Sequence, residues 1–136
     1  MEYRASTMIA APAQLVWETL VDTDRWPEWD PNVERVDGQA ILGGEIRMHT
    51  SLSSRTVPVR VAEFVPPRRM VWRGGLPFGL MTGTRTFSLD EADGVTTFEL
   101  HEVFTGPLVG ILSRFMPDLQ PSFDAHVEGL RARIEG

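Results

Sequence analysis

The chain contains neither cysteine nor lysine. Without cysteine it has no disulfide framework and no thiolate chemistry, and a cytoplasmic location is the default expectation. Without lysine it has no Schiff-base nucleophile; all thirteen basic residues are arginine. Tyrosine occurs once, at Tyr3, so phenolic proton transfer has little to draw on. No apolar run approaches the ~20 residues of a membrane span, and Met1 to Ser6 has no apolar segment of the secretory-signal type. Positive charge is also scarce. Nineteen acidic residues against thirteen basic give a net charge of −6, which speaks against the clustered basic footprint of nucleic-acid binding. No glycine-rich phosphate loop leads from a strand into a helix. No two histidines share metal-ligand spacing, so neither metal nor cofactor is expected.

What the chain does have is ordinary for a single domain spanning residues 1–136, with 42% hydrophobic and 24% charged residues. Its organising stretch is the C-terminal end. Leu108, Leu112, Phe115, Leu119, Phe123, Val127, Leu130 and Ile134 recur three or four apart, which puts them on one helical stripe. Arg114, Asp118, Glu128, Arg131 and Glu135 take the other side. An unbroken helix over this stretch would run about 40 Å. Pro117 and Pro121 are expected to split it into a short helix to about Met116 and a long one from about Asp118, the latter acting as N-cap.

Before this stretch the chain reads mainly as strands. Glu2 to Ile9 alternates; Pro12 opens a helix to about Val21, with Leu15, Val16, Thr19 and Leu20 on one side. Asp24 is placed to cap a short second helix through Arg25, Trp26 and Trp29. Glu34 to Asp37 is a short strand. Glu45 to Leu52 sets Ile46, Met48, Thr50 and Leu52 on one face, with Glu45, Arg47, His49 and Ser51 outward. Thr56 to Val65 aligns Val57, Val59, Val61 and Val65, and Pro58 points to an edge or bulge there. Met70 and Trp72 share a face in the next strand. The loop Gly74 to Leu80 is apolar at Leu76, Phe78 and Leu80, and reads either as a plug for the core end or as a lip at a pocket mouth. Met81–Leu89 and Val95–Phe104 form a hairpin across Asp93-Gly94. With Phe87 opposite Phe98, its two inner faces combine Arg85, Phe87 and Leu89 with Phe98, Leu100, Glu102 and Phe104. The sum is an α+β chain: seven antiparallel strands curved around a long C-terminal helix, with two short helices after the first strand.

The segments Ile9 to Pro12, Val16-Trp17, Arg25-Trp-Pro-Glu-Trp-Asp-Pro31, Val71-Trp-Arg73 and Glu102-x-Phe104-x-Gly106, in this layout, resemble the polyketide cyclase/dehydrase branch of the START-like (SRPBCC, Bet v 1-like) superfamily. The resemblance covers essentially the whole chain, and its most specific part is the tryptophan-proline segment. It implies a helix-grip fold with a deep apolar cavity between sheet and long helix. It says less about activity, because members include aromatase/cyclases, lipid and hormone carriers and ubiquinone-associated factors.

Strand phase then supplies the expected ligand-binding wall: Met48, Val59, Val61, Trp72, Phe87, Phe98, Leu100 and Phe104 from the sheet, and Phe115, Leu119 and Phe123 from the helix. Trp29, Leu76 and Phe78 are placed at the entrance. Arg85 and Glu102 interrupt otherwise apolar faces, and an inward charge is costly unless paired. Either they form a structural ion pair, or they orient a polar ligand group and act as the catalytic acid and electrophile of a cyclisation or dehydration. His49 and His101 fall on the outer face, and His126 borders the core. The function expected is binding of a small hydrophobic molecule (a polyketide, isoprenoid or lipid), with a cyclase/dehydrase-type enzyme as the alternative. The expected partners are that small molecule and, as an open option, a second copy of the chain, without nucleic acid or a membrane span.

Overall fold

The computed structural model describes residues 1–54, 56 and 58–136; the expected inward face of Val57 and the turn at Arg55 lie outside them. Strand β1 (Glu2–Ile9) leads into helix α1 (Ala13–Val21) and a 3-10 segment at Thr23–Glu28. Strands β2 (Val33–Asp37), β3 (Glu45–Thr50), β4 (Pro58–Val65), β5 (Arg69–Gly75), β6 (Thr82–Ala92) and β7 (Val95–Thr105) follow. Helices α2 (Val109–Leu112) and α3 (Gln120–Glu135) end the chain. The seven strands form one antiparallel sheet in the order β1-β7-β6-β5-β4-β3-β2, and α3 packs mainly on β1 with lesser contacts to β7 and α1. This is the helix-grip arrangement that the alternating strands and the apolar stripe require: each element buries one face, and the two faces meet.

The β6–β7 hairpin sets the geometry of the interior. Asp93 and Gly94 take φ values of 53° and 78° between the paired Ala92 and Val95, the left-handed pair that a two-residue type I′ turn demands. That turn places Leu89 opposite Phe98, Phe87 opposite Leu100 and Arg85 opposite Glu102. The expected pairing of Phe87 with Phe98 is therefore off by two residues. A shift of two leaves every side chain on its face, so the inward set survives and the two charges become direct cross-strand neighbours.

Four expectations need correction. The C-terminal stretch is more broken than the stripe suggested: α2 stops at Leu112, and α3 begins only at Gln120, where the Asp118 carboxylate accepts the Gln120 N–H at 3.0 Å. Between them the helical phase is lost, and Phe115 swings out to 82% exposure instead of burying against the sheet. Phe123, Val127 and Leu130 do bury, and Ile134 is half-buried. In β4 a bulge between Val61 and Glu63 switches the alternation, so Phe64 turns inward and Val65 outward; Pro58 simply begins the strand. Helix α1 buries Ala13, Val16, Trp17 and Leu20, a stripe spaced three and four apart that leaves Leu15 exposed, and Trp17 packs on Phe64 with ring centroids 5.3 Å apart. The 3-10 segment starts after Asp22 without a side-chain cap, so Asp24 does not cap it.

Trp26 closes the end of the sheet. It is fully buried, donates its indole N–H to the Leu20 carbonyl at 2.9 Å, and stacks on Trp72 at 5.4 Å and 16°. Among the described residues no helix is long and apolar enough to cross a membrane.

Candidate functional site

Two adjoining hollows lie between the sheet and the C-terminal segment, of about 330 and 360 Å³. Both are walled by Met48, Thr50, Met81, Arg85, Met116 and Leu119. The first extends toward Val59, Trp72, Leu76, Gly83, Glu102 and Phe104. The second extends toward Val33, Leu52, Leu100, Phe123, Asp30 and His126. Each is of the size in which small-molecule sites occur, mostly apolar with a few convergent polar groups.

Arg85 stands where the hollows meet, and its partner Glu102 lines the first of them. Arg85 Nε donates to Glu102 Oε1 at 2.6 Å, with side chains only 17% and 10% exposed. The guanidinium carbon lies 4.8 Å from the centre of the Phe123 ring, so the cation also faces an aromatic π surface. Gly83 makes room for the carboxylate: a methyl group there would come within 2.9 Å of Glu102 Oε2 and 3.1 Å of the Phe104 ring.

A second polar pair sits deeper. His126 Nδ1 and Asp30 Oδ2 are 2.7 Å apart and both residues are buried. Asp30 Oδ1 also accepts the Asn32 N–H at 3.0 Å. Gly129 brings the two together: a side chain there would collide with the Trp29 carbonyl, so only glycine lets the tryptophan-rich segment lie this close to α3. The imidazole is ringed by Trp26, Trp29, Phe87 and Phe98, with centroids 4.8 to 6.1 Å away. Burial pushes its pKa below the ordinary value; the Asp30 bond opposes this and the Arg85 charge adds to it. His126 Nε2 and the indole N–H groups of Trp29 and Trp72 are buried with no hydrogen-bond partner among the described residues.

Of the residues expected to form the ligand wall, Met48, Val59, Trp72, Leu76, Arg85, Glu102, Phe104 and Leu119 line the first hollow, and Leu100 and Phe123 the second. Trp29, Val61, Phe87 and Phe98 are buried in the core behind it. Phe78 is 98% exposed and, like Phe115, lines neither hollow. His49 and His101 pair on the outer face, with Asp37 at 2.8 Å and Glu2 at 3.2 Å. Sequence reasoning missed Asp30, which the Trp-Pro segment hides among turn residues. It also missed Met116, which lies between the two C-terminal helices, and passed over Met81, which shares the phase of Arg85 and Phe87. Thr50 was legible from its strand phase.

Residues 1–135 match the family described as polyketide cyclase / dehydrase and lipid transport. The chain is similar to the oxopyrrolidines biosynthesis cluster protein O of Penicillium oxalicum, at 32% identity over 84 residues, 48% of this chain and 42% of that protein. The match therefore spans less than half the length of that relative. Among solved structures, a hypothetical protein of Helicobacter pylori superposes with a TM-score of 0.80 at 16% identity, over 98% of this chain and 88% of that one. The di-domain ARO/CYC StfQ of the steffimycin biosynthetic pathway superposes with a TM-score of 0.77 at 16% identity, over 98% of this chain and 50% of that one. At these identities the structural likeness establishes the helix-grip fold alone.

Proposed function

Because the chain belongs to the polyketide cyclase/dehydrase and lipid transport family, we propose that it binds a small, largely apolar molecule of polyketide, isoprenoid or lipid-like kind in the two adjoining hollows. The observation that carries this reading is the placement of Arg85, paired with Glu102, in the wall that the two hollows share. An apolar lining supplies affinity without direction. A paired charge in that lining supplies direction, because a ligand oxygen that meets the guanidinium is held in one orientation. Met48, Met81 and Met116 line both hollows, and flexible thioether side chains adapt to irregular ligand shapes.

The burial of Glu102 beside Arg85 favours a second reading, in which the pair does acid–base work on the bound molecule during a cyclisation or dehydration. Binding is common to both readings, so it is tested first. Titration with 1-anilinonaphthalene-8-sulfonate should give saturable one-to-one fluorescence enhancement. Thr50→Trp, which fills the space shared by the hollows, should weaken it at least tenfold. Phe78→Ser, at the exposed loop, should leave it unchanged. Loss in Phe78→Ser with retention in Thr50→Trp would place the probe on the outer surface and refute the reading.

A further inference from the structure

The contact between Arg85 and Glu102 uses only part of each group. Arg85 commits one donor, Nε–H, and Glu102 one oxygen, Oε1, to a bond of 2.6 Å. A guanidinium carries further donors on its two Nη atoms, and a carboxylate has a second oxygen. Among the described residues no acceptor meets the Nη groups of Arg85, and no donor meets Glu102 Oε2. These atoms are not sealed in. The wholly buried side-chain nitrogens and oxygens that lack a partner belong to Trp29, Trp72 and His126, whereas the Arg85 and Glu102 side chains keep 17% and 10% of their surface. That surface opens on the first hollow, which both residues line together with Gly83. Glu102 Oε2 lies over Gly83, where a methyl group would stand 2.9 Å from it. The Phe123 ring, 4.8 Å from the guanidinium carbon, helps to hold the Arg85 head in place. The free donors and the free oxygen belong to the two groups that make the 2.6 Å contact, so they flank one spot on the wall.

We propose that this spot binds the edge of an amide, so that the ligand is an apolar molecule bearing a primary amide or a lactam. The ligand carbonyl accepts from Arg85 Nη, and the neighbouring N–H donates to Glu102 Oε2. This rests on the cavity-binding reading above and narrows it. Other head groups fit this spot worse. A carboxylate would bring a second negative charge beside Glu102 into a mostly apolar hollow, where Arg85 is already matched. An ester or ketone satisfies Arg85 but leaves Oε2 without a donor once the ligand shuts out solvent. A β-keto enol closes its hydrogen bond on its own carbonyl and has no proton left to offer. The N–H of a primary amide or lactam lies beside its C=O and cannot bond to it, so both remain for the protein. The preference follows from the charge on Glu102 and not from the size of the hollow.

Three probes of near-equal shape, 2-naphthamide, methyl 2-naphthoate and the 2-naphthoate anion, separate these cases by calorimetric titration at about pH 7.5, where the acid is ionised. The amide should bind about three- to tenfold more tightly than the ester, the range that one hydrogen bond supplies. It should bind about tenfold or more tightly than the carboxylate. This ranking in the parent protein needs no variant. Glu102→Gln keeps an oxygen for Arg85 Nε, removes the negative charge, and turns the free acceptor into an N–H donor. It should reverse the order, with the carboxylate about threefold or more ahead of the amide. Gly83→Ala leaves both charges in place and sets a methyl group 2.9 Å from Oε2; amide and ester should then agree within about twofold. An amide no better than the ester or the carboxylate in the parent, an unchanged order in Glu102→Gln, or an amide advantage undiminished in Gly83→Ala would overturn the assignment and leave the cavity reading standing. Failure of all three probes to bind would overturn the cavity reading and this assignment with it.

Discussion

Glu102→Leu should destabilise the protein by about 3 kcal/mol, through the charge it strands. Glu102 lies directly opposite Arg85 in the β6–β7 ladder and holds its Nε at 2.6 Å. Removing one member of a buried pair costs about 3–5 kcal/mol because the other charge stays behind without compensation. Arg85 lines both hollows and its side chain keeps 17% of its surface, so partial hydration and the Phe123 ring put the expectation at the lower end of that range. For a chain of this size, this is a fall of about 10 °C in Tm. Arg85→Met should cost a similar amount, since it strands the carboxylate. The double variant, with two apolar side chains on an apolar wall, should return to within about 1 kcal/mol of the parent. Urea unfolding of all four proteins gives the coupling energy directly. Single variants within about 0.5 kcal/mol of the parent, or a double variant as unstable as the sum of the singles, would refute the argument that the pair is held by mutual charge compensation.

The stripe residues on either side of the helix break should behave in opposite ways. Phe123→Ala, which empties a buried site beside Tyr3, should cost about 3 kcal/mol by chemical denaturation. Phe115→Ala should stay within about 0.5 kcal/mol. Gly129→Ala should lower Tm although alanine is the better helix former, because its methyl meets the Trp29 carbonyl; a rise in Tm would show that the segment does not sit so close. His126 adds a pH term. Its pKa is lowered on folding from about 6.5, so the unfolded chain binds the proton more readily. The stability it protects is complete above about pH 6.5 and falls as pH drops toward the folded value, by at most about 1.4 kcal/mol per pH unit. Unfolding curves at pH 5.5 and 7.5 should show this loss in the parent and a smaller one in His126→Phe.

The parts of the fold that are legible in the sequence are those governed by period. Alternation alone puts Trp72 of β5, Arg85 and Phe87 of β6, and Leu100 and Glu102 of β7 on the inner face, and Asp93-Gly94 announces the hairpin. What failed depended on single-residue offsets. The bulge in β4 exchanged Phe64 for Val65, and the prolines near 117 and 121 removed the helical phase on which Phe115 depended. The Asp30–His126 pair was out of reach for a different reason: its members lie 96 positions apart, one in a turn and one at the margin of a helical stripe. What joins them is the close approach at Gly129, which no local pattern records. Of the site, then, the sheet wall could be read from alternation, while the Asp30–His126 pair and Met116, between the two C-terminal helices, could not.

The central claim is that a small apolar molecule enters the space between the sheet and the C-terminal segment, and the methionines report on it. Met48, Met81 and Met116 line both hollows, Met70 is fully buried in the core, and Met1 and Met8 are exposed. In protein labelled at the methionine methyl carbons, titration with 2-methoxynaphthalene should shift the Met48, Met81 and Met116 signals in parallel, with one saturation curve. Met1 and Met8 should stay in place. Shifts confined to Met1 or Met8, or three unmoved signals at probe concentrations that saturate the binding heat, would contradict the account.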